Sequence, residues 1–517
     1  MKGQPADSDR SITRRRFVGN GLALGSLAAG GLIATVAPAT AGAGQAGAAS
    51  TPANLESVAH PAQAVGGVLP QLAVSASLKG PRSECGIGGL MPWGGRLWFV
   101  TYTSHTARTG SGTGLYYVDD SMTLHKHPAS VVGTYANRFV HAPSEQMFIG
   151  PHAVDADNNV RTIRDLVDYR LTATMKHLTD PKNKVYLLGM ESHLWEVDVR
   201  TLAVKLLFTL NDDLKLPAGS KPHYKGGFTT RDRVIVGNNT YREPDETSGV
   251  STGGRLAEWD GKGPRRILES SPFTDINGSP MGDEASAIAV GWDRGSVLLN
   301  VLARGKWARY RQPKASRCYD QMWYTEWPRI REVETERFLM DVHGMFYELP
   351  RQAYGGRYFG VKPICQHLRM VPDFCSWKGF LVLAGNQNTT CGENFLVGEP
   401  QANLWFGKTD DLWSFGKPQG WGGPWYDSPV KSGEPSDPFL MTGFEHKCVH
   451  VRHNAAEPVS FAIEVDFLGN GSFQTYQVLP VPAGGYNYHV FPTGFSAHWA
   501  RLVADKPCTA TAQFVYS

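Results

Sequence analysis

An all-β fold is predicted for this chain: a seven-bladed β-propeller followed by a small C-terminal β-sandwich-like module. Three observations predict it. Long amphipathic helical stretches are nearly absent. Short runs rich in β-branched and aromatic residues dominate, separated by Gly, Pro, Asn and Asp. These runs come in pairs, recurring roughly every 40 to 60 residues, the spacing of propeller blades.

In each pair an apolar run is followed by a run carrying a Leu-Trp or Leu-Tyr type label and a polar turn. Arg96–Val100 goes with Gly114–Asp119, Gln146–Gly150 with Ala153–Asp155 and Asn159–Arg161, and Lys184–Leu188 with Leu194–Asp198. Arg233–Gly237 goes with Arg255–Asp260, Ser296–Asn300 with Lys306–Tyr310, Arg337–Asp341 with Met345–Leu349, and Gly379–Leu383 with Asn403–Gly407. The apolar member is expected to be the inner strand of its blade. Two sandwiches side by side would not repeat the pair in this way. Beyond Ser436 the texture changes to strict alternation, as in Val459–Asp466 and Phe473–Val478, with a turn at Pro482–Gly485. The expected boundaries are therefore residues 69–435 for the propeller and 436–517 for the C-terminal module, packed on the propeller because no flexible linker precedes it.

Thr13-Arg14-Arg15-Arg16-Phe17-Val18 has the pattern of a twin-arginine export signal. A Gly/Ala-rich apolar stretch runs from Leu22 to Val36, and Ala39-Thr40-Ala41 is a small-x-small peptidase site. The stretch is short and weakly apolar for a membrane anchor. Residues 1–41 are expected to be a signal peptide and 42–68 a flexible linker. The mature protein is thus expected outside the cell, free of the membrane and monomeric.

The formal net charge of +3 and the absence of a Lys/Arg run in the mature chain give no argument for nucleic acid. Aromatic residues, at 11 %, suit carbohydrate stacking as well as β-sheet packing. The seven cysteines are too few for a disulfide scaffold, and Cys448 and Cys508 are near enough in sequence to pair within one module. No serine-hydrolase elbow, P-loop, zinc-protease or dinucleotide motif stands in a convincing context, and no organic cofactor is expected.

Polar residues recur at similar offsets in the first four blades, which would aim them at one channel mouth. They are His105, Tyr135, Asn137, Arg138, His141, Arg170, Thr172, His177, His223, Tyr224, Lys225, Asn238 and Asn239. This inventory is rich in cations and imidazoles and lacks the acidic pair a glycosidase needs. It suits β-elimination at a uronic acid. Arg or Asn neutralises the C6 carboxylate, His or Tyr removes the C5 proton, and an acid protonates the departing oxygen. A second cluster of Cys318, His343, Cys365, His367 and Cys375 has the thiolate and imidazole chemistry of a zinc site, without CxxC spacing.

Ser104-His105, Ala136-Asn137-Arg138, Tyr169-Arg170-Leu171-Thr172, His223 to Gly227, Thr325 to Arg331 and Val342 to Tyr347 resemble segments of secreted seven-bladed propeller enzymes. These are the ulvan lyases and the enzymes that remove L-rhamnose from glucuronic acid in arabinogalactan and gum arabic. The resemblance implies a lyase acting on an acidic plant or algal polysaccharide. His105 would be the first candidate base or acid and His223 or Tyr224 its partner, with Arg170 and Asn137 on the carboxylate. Tyr135, Arg138, His141, His177, Arg255 and Asn239 would complete substrate binding. Hydrolysis by an α-L-rhamnosidase stays open on the same scaffold. The resemblance also implies a structural metal, zinc or calcium, with Cys318, His343 and Cys375 as ligands and the fourth unassigned.

Overall fold

The computed structural model describes residues 74–75, 85–103, 113–220, 223–240, 253–278, 286–315, 327–391 and 394–517. The export signal and the linker lie outside the described residues. The one described α-helix is the single turn Asn211–Leu214, so the protein is all-β.

Consecutive strands fold into four-stranded antiparallel meanders. Each pairs its first strand with its second, second with third and third with fourth, the pattern favoured by short polar turns. The opening strands of seven successive sheets are Cys85–Trp93, Arg138–His141, Leu171–Lys176, Tyr224–Thr229, Phe273–Asn277, Arg329–Glu334 and Phe374–Trp377. Each opening strand neighbours the next, and the seventh returns to the first, so they close a ring. The seventh sheet takes its outer strand from Val74–Ser75, which pairs with Gln401 and Ala402 and fastens the beginning of the described chain to its last sheet.

The apolar runs singled out in the sequence are second strands in six of these sheets, not the innermost ones. In the fifth sheet the run at 296–300 belongs to the third strand. The physical reason is burial. A second strand is covered on both faces by neighbouring sheets, so Gln146–Ile149 and Val234–Asn238 are buried at every position. Opening strands line a channel and carry polar or small residues that break the apolar signal. Gly226 shows why: a Cβ there would lie 2.7 Å from the Thr274 carbonyl oxygen of the next opening strand. At Gly88 a Cβ would be 1.9 Å from the Tyr135 oxygen.

The C-terminal strands form two sheets. One orders Gly420–Val430, Cys508–Tyr516, Lys447–His453 and Tyr486–Val490. The other adds Phe439–Leu440, Trp499–Ala504, Val459–Asp466 and Gln474–Val481 to the outer edge of the fifth sheet, making eight strands. Because Gly420–Val430 pairs with Cys508–Tyr516, this region begins upstream of the expected boundary at 436. The junction is a backbone pairing of Arg311 with Phe439, reinforced by Asp437, which accepts from Nε of Arg309 and of Arg311 at 2.8 Å each. Phe439, Phe461, Trp499 and Phe514 then join Val290, Val297 and Met340 in one apolar core. Packing between these strands and the fifth sheet is therefore direct. Cys448 and Cys508 are not bonded: Cys448 pairs with Val515 and Cys508 with Val430, at opposite ends of one strand.

Candidate functional site

A cavity of about 560 Å³ runs along the ring of opening strands. Its wall holds a chain of buried ion pairs. Asp373, fully buried just before the seventh opening strand, accepts from the backbone N–H of Leu90 at 2.8 Å and from Arg138 Nε at 2.9 Å through one oxygen. Its other oxygen accepts from Arg331 Nε at 2.8 Å. Arg331 donates onward to Asp275 at 2.9 Å, and Asp275 also accepts from the N–H of Ile330 at 2.7 Å. Arg138 further donates to the carbonyls of Leu90 at 2.6 Å and Phe374 at 3.1 Å. The chain Arg138–Asp373–Arg331–Asp275 thus ties together opening strands from five of the sheets. Burial works against the charge of Arg331, but Asp373 and Asp275 more than offset it and hold its pKa above the ordinary value.

Arg329 stands at the start of the same strand and differs. It is 2 % exposed, lines the cavity and makes no ion pair with any described residue. One guanidinium nitrogen donates to the adjacent Pro328 carbonyl at 2.8 Å, and Nε has no hydrogen-bond partner. Burial lowers its pKa, and the more distant Asp275 only partly opposes this. Its guanidinium carbon lies 5.0 Å from the ring of Trp327. Lys225 Nζ approaches the same ring at 5.4 Å, and Tyr102 packs on it with centroids 4.7 Å apart. A buried cation lacking a carboxylate is costly alone and is relieved by an anion that supplies one. This end of the channel can therefore hold a carboxylate.

The sequence-selected residues divide. His105 follows the strand Arg96–Thr103, whose Tyr102 reaches the Trp327 cluster, and lies outside the described residues. His223 immediately precedes the fourth opening strand, at the same end of the channel. Its backbone N–H donates to Thr240 Oγ1 at 2.7 Å and its carbonyl accepts from Asn239. Asn239 is buried, with neither side-chain polar atom partnered among the described residues. Asn137 donates to the Gly150 carbonyl and to Thr174 Oγ1, both at 2.8 Å, joining the second sheet to the third.

Other members stand outside the lining of the cavity. Tyr224 is fully buried in an apolar cluster with Tyr186 and Leu188, and burial raises its pKa. Tyr135 is buried and donates to the Val167 carbonyl at 2.7 Å. Arg170 pairs with Glu191 instead of meeting the channel charges. Arg255 donates to the carbonyls of Leu214 at 3.0 Å and Lys215 at 2.9 Å, closing the C-terminal end of the helical turn. His141 ends the second opening strand and His177 follows the third, at the opposite end of the channel from Arg329. There His141 bonds Ser144 at 2.6 Å and the Pro181 carbonyl at 2.8 Å, and His177 pairs with Glu196 at 2.9 Å.

Among the described residues no three of His, Cys, Asp and Glu are grouped closely enough to hold an ion. Cys318 lies outside the described residues. Cys375 belongs to an apolar cluster and burial pushes its thiol up to about 12. His343 is buried against Trp292, with ring centroids 5.3 Å apart, and burial lowers its pKa well below normal. His367 binds Asp341 at 2.8 Å.

Asp275, Asp373, Arg329 and Arg331 received no role from the sequence. Their signal was an acidic residue beside each short apolar strand (Phe273-Thr274-Asp275 and Asp373-Phe374) and two arginines at alternate positions.

No family model matches the chain, and no curated protein matches it. Among solved structures it is similar to the β-propeller domain of Cps50 (Swd1) from Myceliophteria thermophila. The match has 12 % identity and a TM-score of 0.37, and covers 62 % of this chain and 96 % of that one. A likeness of that size assigns neither family nor function.

Proposed function

We propose that the seven sheets are the blades of a seven-bladed propeller, and that the strands from Gly420 onward form a β-sandwich-like module fused to the fifth blade. We further propose that the protein is exported by the twin-arginine route and is a lyase cleaving the glycosidic bond at O4 of a glucuronic acid. Terminal L-rhamnose of arabinogalactan-type chains is the leaving sugar that the sequence resemblance favours.

The observation that carries this reading is Arg329: a buried guanidinium in the cavity wall with no carboxylate of its own among the described residues. A uronate carboxylate placed there would be paired by Arg329, with Lys225 near the same Trp327 ring. Pairing draws electron density from the carboxylate and acidifies the proton on C5. A base removes that proton. The C5–H electron pair forms the C4=C5 double bond, the C4–O bond breaks, and the departing oxygen takes a proton. His105 and His223 are the candidates for base and acid; His223 precedes the fourth opening strand at the Arg329 end of the channel, and His105 lies outside the described residues.

Carboxyl-reduced gum arabic, in which each glucuronate has become glucose, tests the reading. Native gum should be depolymerised or trimmed and the reduced gum left intact. Equal turnover of both would remove the carboxylate from the mechanism.

A further inference from the structure

A second set of aromatic rings lies away from the channel, on the outward face of the C-terminal sheet. In the strand Tyr486–Val490 exposure alternates, and Tyr486, Tyr488 and Val490 are 53 %, 54 % and 61 % exposed. Residues two apart on a strand share a face, so these three form one edge of the outward surface. The register sets Arg452 opposite Tyr486, His450 opposite Tyr488 and Cys448 opposite Val490. On the next strand Thr511, Gln513 and Val515 complete the three rows.

The rings are aligned. His450 and Tyr486 lie at 15° to each other with centroids 6.0 Å apart. Tyr488 lies at 22° to Tyr486 and 29° to His450, with centroids 6.2 Å away in both cases. The Tyr486 hydroxyl is bonded to His450 Nδ1 at 2.7 Å, and the Tyr488 N–H donates to the Asn487 side-chain oxygen at 2.9 Å, which holds the platform in place. Charge on this face is matched within it: Arg452 pairs with Asp427 at 2.8 Å, and Thr511 donates to the same carboxylate at 2.8 Å. Polar groups stand in every row except the Cys448–Val490–Val515 one, so no continuous apolar area awaits a protein partner. Parallel ring faces flanked by hydroxyl, amide and neutralised ionic groups complement the C–H face and hydroxyl rim of an uncharged sugar.

We propose that this face is a second polysaccharide-binding surface, which holds a neutral stretch of a glycan chain by stacking on Tyr486, Tyr488 and His450. It does not depend on the chemistry of the channel, but it deepens the glycan reading by giving the enzyme a separate grip on the polymer.

Native affinity electrophoresis of the mature protein, in gels containing gum arabic or a neutral β-linked galactan, tests it. Both polymers should retard the wild type. Tyr488→Ala should weaken retardation roughly tenfold, and Tyr486→Ala with Tyr488→Ala should abolish it. Both positions are exposed, so circular dichroism should stay that of the wild type. Arg329→Met should leave retardation by galactan unchanged, which separates this surface from the uronate site. Absence of retardation in the wild type, or equal retardation of wild type and double variant, would overturn the proposal. So would a double variant that changes the sedimentation coefficient, because that marks the face as a contact between copies of the chain.

Discussion

Arg331 is clasped by Asp373 at 2.8 Å and Asp275 at 2.9 Å, while Arg329, two residues earlier on the same strand, has neither. One arginine belongs to the architecture of the ring and the other is left to meet a ligand. Their pKa values move in opposite senses for this reason: burial outweighs the more distant carboxylates at Arg329, and the two carboxylates more than offset it at Arg331. The two residues should therefore respond to substitution in opposite ways.

Arg329→Met removes a buried charge without leaving a carboxylate stranded. Its urea midpoint should equal or exceed that of the wild type, because replacing an uncompensated charge by an apolar side chain of similar length is neutral or stabilising. Turnover of a uronate substrate should fall by roughly 10²- to 10³-fold, the usual loss when a group that stabilises developing charge is deleted. Unfolding curves and initial rates on one preparation check both halves.

Arg331→Met should behave oppositely. It leaves the buried Asp275 without an arginine and Asp373 with Arg138 as its one arginine, and breaking a buried pair from one side costs roughly 3–5 kcal/mol. Urea unfolding should show the loss, and Asp275→Asn added to Arg331→Met should recover part of it.

Stability should fall on mild acidification. Burial lowers the pKa of His498 to about 4 and of His152 to about 3, from 6.5 in both cases. The unfolded chain binds protons at these residues first, so stability is fully present above pH 6.5 and declines as the pH drops through the window toward 4. His498 accepts from the Gly360 N–H through Nε2 at 3.0 Å, which only the neutral ring can do. His498→Asn should flatten the slope of urea midpoint against pH between 6.5 and 4.

Thiol reactivity should follow burial. Cys365 and Cys375 are pushed up to about 12 by burial, whereas Cys448 and Cys508 are half-buried. At pH 8 iodoacetamide should alkylate Cys448 and Cys508 in the folded protein and reach Cys365 and Cys375 only after denaturation. Peptide mass spectrometry reads each site.

The sheets were legible in the sequence because second and third strands carry a strong signal. Val185-Tyr186-Leu187-Leu188 and Leu194-Trp195 are apolar on both faces of a buried strand. Opening strands were not legible, since Tyr224-Lys225-Gly226-Gly227 reads as a loop until the neighbouring strand that excludes a Cβ at Gly226 is known. The same limit explains the site. Arg170 and Arg138 are equally conspicuous in sequence, yet Glu191 takes one and Asp373 the other, and only their partners decide which charge reaches the channel. Arg329 was visible in Trp327-Pro328-Arg329-Ile330-Arg331, but its lack of a carboxylate is a property of the folded ring.

The most direct test of the central claim is to incubate the mature protein with gum arabic and follow ultraviolet absorbance of the unsaturated uronate together with released rhamnose. Elimination at glucuronate predicts that both rise together in the wild type and that both rise roughly 10²- to 10³-fold more slowly in Arg329→Met. Rhamnose released without new absorbance would contradict the account, because hydrolysis leaves no C4=C5 double bond.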